Sequence, residues 1–284
     1  MKKFIALILL LGLLLTLSAG AESKVYLALG DSITTGYGLN RANGEYGFAD
    51  ILKRNNGYTL YNKAVNGATT LDVFNALDSQ YLLKTVSRAD LITLTCGGND
   101  LMGLLFTQIA AAYNSLTGTV IPASEVMSVL SNPADARQMT LMMVVQGLLL
   151  GTETTPSFLE SDTMQAALDA YAQALGGIVM KIRAVNPTVP IIIATQYNPF
   201  QFFSGEYALF GQRLGQGVKL LSDVITANAQ ALGYYVADTY SAFADSAENL
   251  CCASMVPFNL DPHPNAAGHQ VLAECFQQVI NNLP

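Results

Sequence analysis

Five short apolar runs, spaced along the chain and separated by long stretches of helical period, constrain the fold most. They are residues 24–29 ending at Gly30, residues 58–65, residues 89–96 ahead of Gly97-Gly98, residues 190–196 and residues 234–238. Each is four to eight residues long or close to it, rich in Val, Ile, Leu and Thr, and bounded by Gly, Pro or Asn, as buried strands are. Between the fourth and fifth, Leu214, Val218, Leu221, Ile225, Ala229 and Leu232 recur at spacings of three and four, with Gly233 as a stop. Before the fourth, Met164, Leu168, Tyr171, Leu175, Ile178, Ile182 and Val185 do the same. Asp162 is placed to cap that helix, and Asn186-Pro187 to end it. A last helix is predicted from about Asn265, carrying Val271, Leu272, Cys275, Phe276 and Val279. Strands alternating with helices predict an α/β fold: a parallel five-stranded sheet covered by helices on both faces.

Residues 101–156 break the alternation. Apolar clusters interrupted by Gly118, Pro122 and Pro133 read as a helical insertion, serving either to line a substrate pocket or simply to pack. At the other extreme of the chain, Lys2 and Lys3 precede an apolar run from Phe4 to Leu17, and Ala19-Gly20-Ala21 follows. This is the pattern of a secretory signal peptide over residues 1–21, cut after Ala21 and leaving a domain over 22–284. The run is shorter than the ~20 residues of a spanning helix, so no stable membrane span is expected after cleavage. Ala21 stands where a lipoprotein signal would carry its cysteine.

The formal charge is −7, and removal of Lys2 and Lys3 takes it to −9. With no basic run, the chain is a poor partner for nucleic acid or an anionic membrane. Oligomeric state is not legible. An exported protein can form disulfides. Of Cys96, Cys251, Cys252 and Cys275, a bridge from Cys251 or Cys252 to Cys275 is preferred, with Cys96 a small buried hydrophobe in its strand. Two histidines and no ligand-like spacing leave no metal site, and no cofactor is called for.

Ligands of an open parallel sheet bind beyond the carboxyl ends of its strands. Four loops place chemistry there or ahead of the last helix. Ser32 follows the first strand in Gly30-Asp31-Ser32, and a serine hydroxyl needs a neighbouring base to become a nucleophile. Gly67, after the second strand, lets a backbone amide approach a developing oxyanion. Asn99, in Gly97-Gly98-Asn99-Asp100, offers a neutral side-chain donor to the same charge. His263, in Asp261-Pro262-His263-Pro264-Asn265, is a base of the right pKa class in a stiff loop. His269 falls one turn into the last helix and reads as structural.

In this order the four blocks resemble the GDSL, or SGNH, hydrolase family along the whole chain from Gly30 to the last helix. The resemblance implies a flavodoxin-like three-layer α/β/α fold and a secreted esterase or lipase-type acyl hydrolase. It implies Ser32 as nucleophile, His263 as base and an oxyanion hole of Ser32, Gly67 and Asn99, with a small-molecule or lipid ester as substrate. One departure stands out. The family's acid lies three residues before the histidine, and Leu260 occupies that position, whereas the carboxylate is Asp261. Either Asp261 reaches the imidazole from a shifted loop, or a main-chain carbonyl near Leu260 orients the ring. Two other readings stay open: an O-deacetylase acting on carbohydrate or cell wall, with Tyr37, Tyr46 and Tyr197 near the site loops, and a non-catalytic binding protein that keeps the fold.

Overall fold

The structure is a computed structural model that describes residues 23–151 and 156–284. The signal-peptide expectation for residues 1–21 lies outside the described residues. All five expected strands are present, as β1 (Val25–Gly30), β2 (Thr59–Asn62), β3 (Leu91–Thr95), β4 (Ile191–Ala194) and β5 (Tyr235–Ala237). They form one sheet in the order β2-β1-β3-β4-β5, every pair parallel. In register, Leu27 stands opposite Ile92, Ile92 opposite Ile191 and Ile192 opposite Tyr235. β3 and β4 are buried at every position, as a parallel strand covered on both faces must be. β2 is four residues rather than eight, because the chain leaves the sheet edge after Asn62 and only half of it is covered.

Helices close both faces. On one, α2 (Phe48–Asn56) packs against α11 (Ala266–Asn281), with Phe48 and Phe276 stacked at 4.8 Å. On the other, α8 (Asp162–Val185) lies beside α3 (Thr70–Ala76), α4 (Gln80–Val86) and α9 (Ala208–Leu232). The apolar stripe predicted for α8 is buried from Met164 to Ile182. Its cap is Ser161, which accepts the Met164 amide, and Asp162 is instead the first helical residue. α9 begins six residues before Leu214 and ends at Gly233, whose φ of 71° is the left-handed stop expected there.

Between β3 and α8 stand α5 (Gly98–Thr117), α6 (Ala123–Leu130) and α7 (Gln138–Leu150), packed on one another. Gly118 caps α5 and Pro122 precedes α6. α7 also packs on α9, and Leu101 and Met102 of α5 line the same cavity as Pro199 and Phe200 of the loop after β4. The short α1 (Ser32–Thr35) and α10 (Thr239–Ala244), a hairpin of two-residue strands, β6 (Ser254–Met255) with β7 (Phe258–Asn259), and 3₁₀ turns at Arg41–Asn43, Phe158–Glu160 and Gly205–Tyr207 complete the described elements. No helix among the described residues is long and apolar enough to cross a membrane.

All four cysteines are free, which corrects the expected bridge. Cys251 pairs with Pro264 in an isolated bridge, and Asn265 there caps α11. Cys275 lies ten residues further along α11, roughly 15 Å at the helical rise, and directs its thiol to the Asp238 carbonyl. A disulfide needs Cα atoms within about 7 Å. Cys96 is fully buried, and burial pushes its thiol up to about 12, so it is an inert hydrophobe.

Candidate active site

In the order β2-β1-β3-β4-β5 the chain turns outward in opposite directions from β1 and β3, which opens a crevice beyond their carboxyl ends. Asp31 and Ser32 follow β1 into that crevice, and Gly97 to Asn99 follow β3. Two glycines make the close approach possible. Gly30 has φ 130°, and a Cβ on it would lie 2.3 Å from the Thr95 carbonyl oxygen. Gly97 has φ 113°, and a Cβ there would meet the Tyr171 ring at 2.9 Å.

Ser32 opens α1, so its amide is among those with no partner inside the helix. Asp31 is the cap: its Oδ1 accepts the Ile33 amide at 3.0 Å and the Thr95 hydroxyl at 2.8 Å. Only 2% of Asp31 is exposed. That desolvation raises its carboxyl to about 6, against the hydrogen bonds from Thr95 and Ile33 and the nearby His263, which pull the other way. Thr34 and Thr95 share a hydroxyl contact of 2.8 Å, and Thr34 also donates to the Leu29 carbonyl. The nucleophile candidate thus stands on a buried polar floor that anchors its turn to β1 and β3.

Ser32 Oγ lies 2.8 Å from His263 Nε2, although 231 residues separate them in sequence. On the other side of the ring, Nδ1 meets Asp261 Oδ1 at 2.5 Å. A carboxylate at Nδ1 fixes the ring proton there and leaves Nε2 to accept from the serine. Asp261, not a main-chain carbonyl at Leu260, is therefore the group that meets the ring. The loop is held from three directions. Cys252 donates its amide to the His263 carbonyl at 2.8 Å, Tyr197 donates its hydroxyl to the Pro262 carbonyl at 3.1 Å, and the Tyr37 ring packs 4.7 Å from the imidazole.

Asn99 donates one side-chain hydrogen to the Ala68 carbonyl at 2.9 Å, leaving the other for a ligand. It lines the same cavity as Ser32 and His263. Gly67 sits at φ 78° in the exposed turn that presents Ala68, and lines an adjoining cavity with Asn66 rather than that of Ser32. The turn is tied to the serine's helix by the Thr35 hydroxyl, which donates to Asn66 Oδ1 at 2.6 Å. Next to Asn99, Asp100 accepts the amide and hydroxyl of Thr70, which holds α3 to the start of α5; burial nonetheless raises its carboxyl. His269 is wholly buried, away from the site, with Nδ1 accepting the Phe48 amide at 3.3 Å.

Some site residues gave no signal in the motif blocks. Gln196 donates to the Cys96 carbonyl at 2.9 Å beneath the crevice, and Pro199 and Phe200 help to wall it. All three follow β4, so the rule that ligands gather beyond strand ends points to them even without a motif. Thr95, the last residue of β3, gave no signal of its own, since Thr93 lies in the same strand.

The fold and its neighbours agree. YpmR of Bacillus subtilis strain 168 is 24% identical over 263 residues, covering 91% of this chain and 82% of that one. Among solved structures, the lipase Lip_vut3 from goat rumen metagenome matches with a TM-score of 0.55 at 20% identity, over 90% of this chain and 97% of the other. Phospholipase A1 from Streptomyces albidoflavus NA297 matches with a TM-score of 0.55 at 21% identity, over 91% and 98%. At those identities the two structures speak for the fold. A family model covers residues 28–271, from within β1 to within α11, and by that match the chain belongs to the GDSL-like lipase/acylhydrolase family.

Proposed function

We propose that this protein is a serine hydrolase that cleaves carboxylic ester bonds through an acyl-enzyme on Ser32. The observation that carries the reading is the continuous contact from Ser32 Oγ to His263 Nε2 and from His263 Nδ1 to Asp261. Ser32 Oγ bonds to the ester carbonyl carbon while its proton passes to Nε2, and the carbonyl oxygen takes the negative charge. The Ser32 amide and Asn99 Nδ2, which line the cavity, receive that charge, a kind of donor typically worth ~10²–10³ in turnover each. The tetrahedral carbon then expels the alcohol, which takes the proton from His263. Water, giving a proton to the same nitrogen, attacks the acyl carbon; the bond to Ser32 Oγ then breaks, Oγ takes the proton back from His263, and the acid leaves. Asp261 keeps the ring in the tautomer this sequence needs and stabilises the imidazolium between steps. No step calls for a metal or organic cofactor.

The apolar cavity beneath Ser32 supports an acyl substrate over an acetylated sugar: Leu101, Met102, Phe200, Leu214, Val218 and Leu221 wall it. The contact of Asp261 with His263 Nδ1 favours the catalytic over the non-catalytic reading. We extend the proposal to export, with the leader cut after Ala21; N-terminal sequencing of protein recovered from the medium should begin at Glu22.

The test is hydrolysis of p-nitrophenyl acyl esters together with labelling by a fluorophosphonate probe. Wild-type protein is expected to turn over and to label, and Ser32→Ala to do neither while keeping its circular dichroism. Retention of wild-type turnover by Ser32→Ala overturns the assignment.

A further inference from the structure

The cavity at Ser32 does not end at its visible wall. It has a volume of ≈ 130 Å³; Asp31, Ser32, Asn99, Gln196 and His263 give it a polar side, and most of the remaining lining is apolar. Next to it lies a second, smaller void of ≈ 10 Å³ walled by α5, α6, α7 and α9. Every side chain lining that void is apolar, among them Leu105 and Ile109 of α5, Leu130 of α6 and Val145 of α7. A space this small and this apolar has no partners for a bound water. Three residues, Met102, Phe200 and Leu214, line both spaces and so form the partition between them.

The three are not equally fixed. Phe200 is buried and packed edge-on to Phe203 at 5.1 Å and against Phe210 at 5.5 Å. Leu214 is buried on the inner face of α9. Met102 is only half-buried, is unbranched, and precedes Gly103, around which an added Cβ would meet nothing. A thioether chain with three free torsions is the movable part of such a wall.

We infer that the two spaces are one acyl channel running from Ser32 under α5–α7, with Met102 as the gate that sets how long an acyl chain it accepts. The inference rests on the ester-hydrolysis reading of Ser32 and adds to it a substrate class: esters whose acyl chain is long enough to pass Met102. With the carbonyl carbon at Ser32, the chain runs along Leu101 and Leu214, displaces the Met102 side chain, and enters the second void between Leu105 and Val145. Each methylene moved from water into such a space is worth about fourfold in kcat/KM.

The experiment compares p-nitrophenyl butanoate with p-nitrophenyl dodecanoate on the full-length mature protein. The readout is the ratio of kcat/KM for the long ester to that for the short one, so the fraction of folded enzyme cancels. Met102→Ala, which opens the partition, is expected to raise the ratio by about tenfold or more, the worth of two methylenes. Leu105→Phe, which fills the second void, is expected to lower it by a similar factor. Should Leu105→Phe fail to fold, Met102→Ala decides alone. An unchanged ratio in Met102→Ala, with butanoate hydrolysis still dependent on Ser32, overturns the gate and leaves the ester reading standing. Hydrolysis that survives Ser32→Ala overturns the ester reading, and the channel with it.

Discussion

The carboxylate oxygen of Asp261 that meets His263 Nδ1 also accepts the His263 backbone amide, 3.1 Å away. An Asp that bonds the amide two residues ahead makes an Asx turn. That turn folds the side chain forward onto the ring, so a carboxylate two residues before the histidine reaches Nδ1 without a longer spacer. A second turn of the same kind, with Asn259 Oδ1 accepting the Asp261 amide at 3.0 Å, sets up the first. The proposed mechanism then makes a definite demand on this residue. Asp261→Asn preserves the shape of the turn, but its amide can donate to Nδ1 and favours the wrong tautomer, a change that costs up to ~10⁴ in kcat where it has been isolated. Steady-state kinetics on a butanoate ester should show that loss in kcat with KM little moved. Turnover within a few fold of wild type would mean that the carboxylate only shapes the loop.

At the scale of elements, the site is a meeting of strand ends, and its tightest point is where Gly30 passes β3. A side chain there would have to share space with the Thr95 carbonyl at 2.3 Å in a backbone conformation that L residues avoid. Gly30→Ala is expected to lower stability by at least ~3 kcal/mol, as overpacking and backbone strain combine; a shift of the urea midpoint at constant slope measures it. This crowding shows why the fold was so legible. The strands β1, β3 and β4 are buried on both faces, so their sequences have to be continuous apolar runs, and such runs stand out. The long helices α8 and α9 must each present one apolar stripe, and that too is visible in spacing. The shorter α2, α3 and α4 left no comparable trace, because each turns only a few residues inward and draws its stability from neighbours. α2 is an instance: Gly47, its N-cap, has no side chain to offer, and His269 of α11 supplies the acceptor for Phe48 instead. A cap given by a residue 221 positions away cannot be read locally. The same holds in the site, where the blocks carrying Ser32, Asn99 and His263 were legible by residue type, while Gln196 and Phe200 matter only because of what the fold brings against them.

For the whole molecule, two buried titratable groups link stability to pH with opposite signs. Asp31 has its carboxyl raised from 3.8 to about 6 by burial. Between those values the folded chain binds more protons than the unfolded one, so Asp31 adds stability below pH 4 and loses it as pH rises through 6. His269 has its imidazole lowered from 6.5 to about 4, again by burial, with a smaller push from His263. Here the unfolded chain binds the proton first, so stability is full above pH 6.5 and falls as pH drops toward 4. Protonation also turns His269 Nδ1 from acceptor to donor, so it can no longer hold the Phe48 amide. Each shift corresponds to about 3 kcal/mol, and the two windows nearly coincide, so within pH 4–6.5 they largely offset one another. Replacing Asp31 by Asn leaves an acceptor for Ile33 and Thr95 and removes one side of this balance. Relative to wild type, Asp31→Asn is expected to gain about 3 kcal/mol more at pH 8 than at pH 4. Its stability should therefore fall visibly on acidification where that of the wild type stays nearly level. Urea unfolding at half-unit steps from pH 4 to 8 measures both curves, and parallel curves would show that Asp31 carries no such charge penalty in the folded chain.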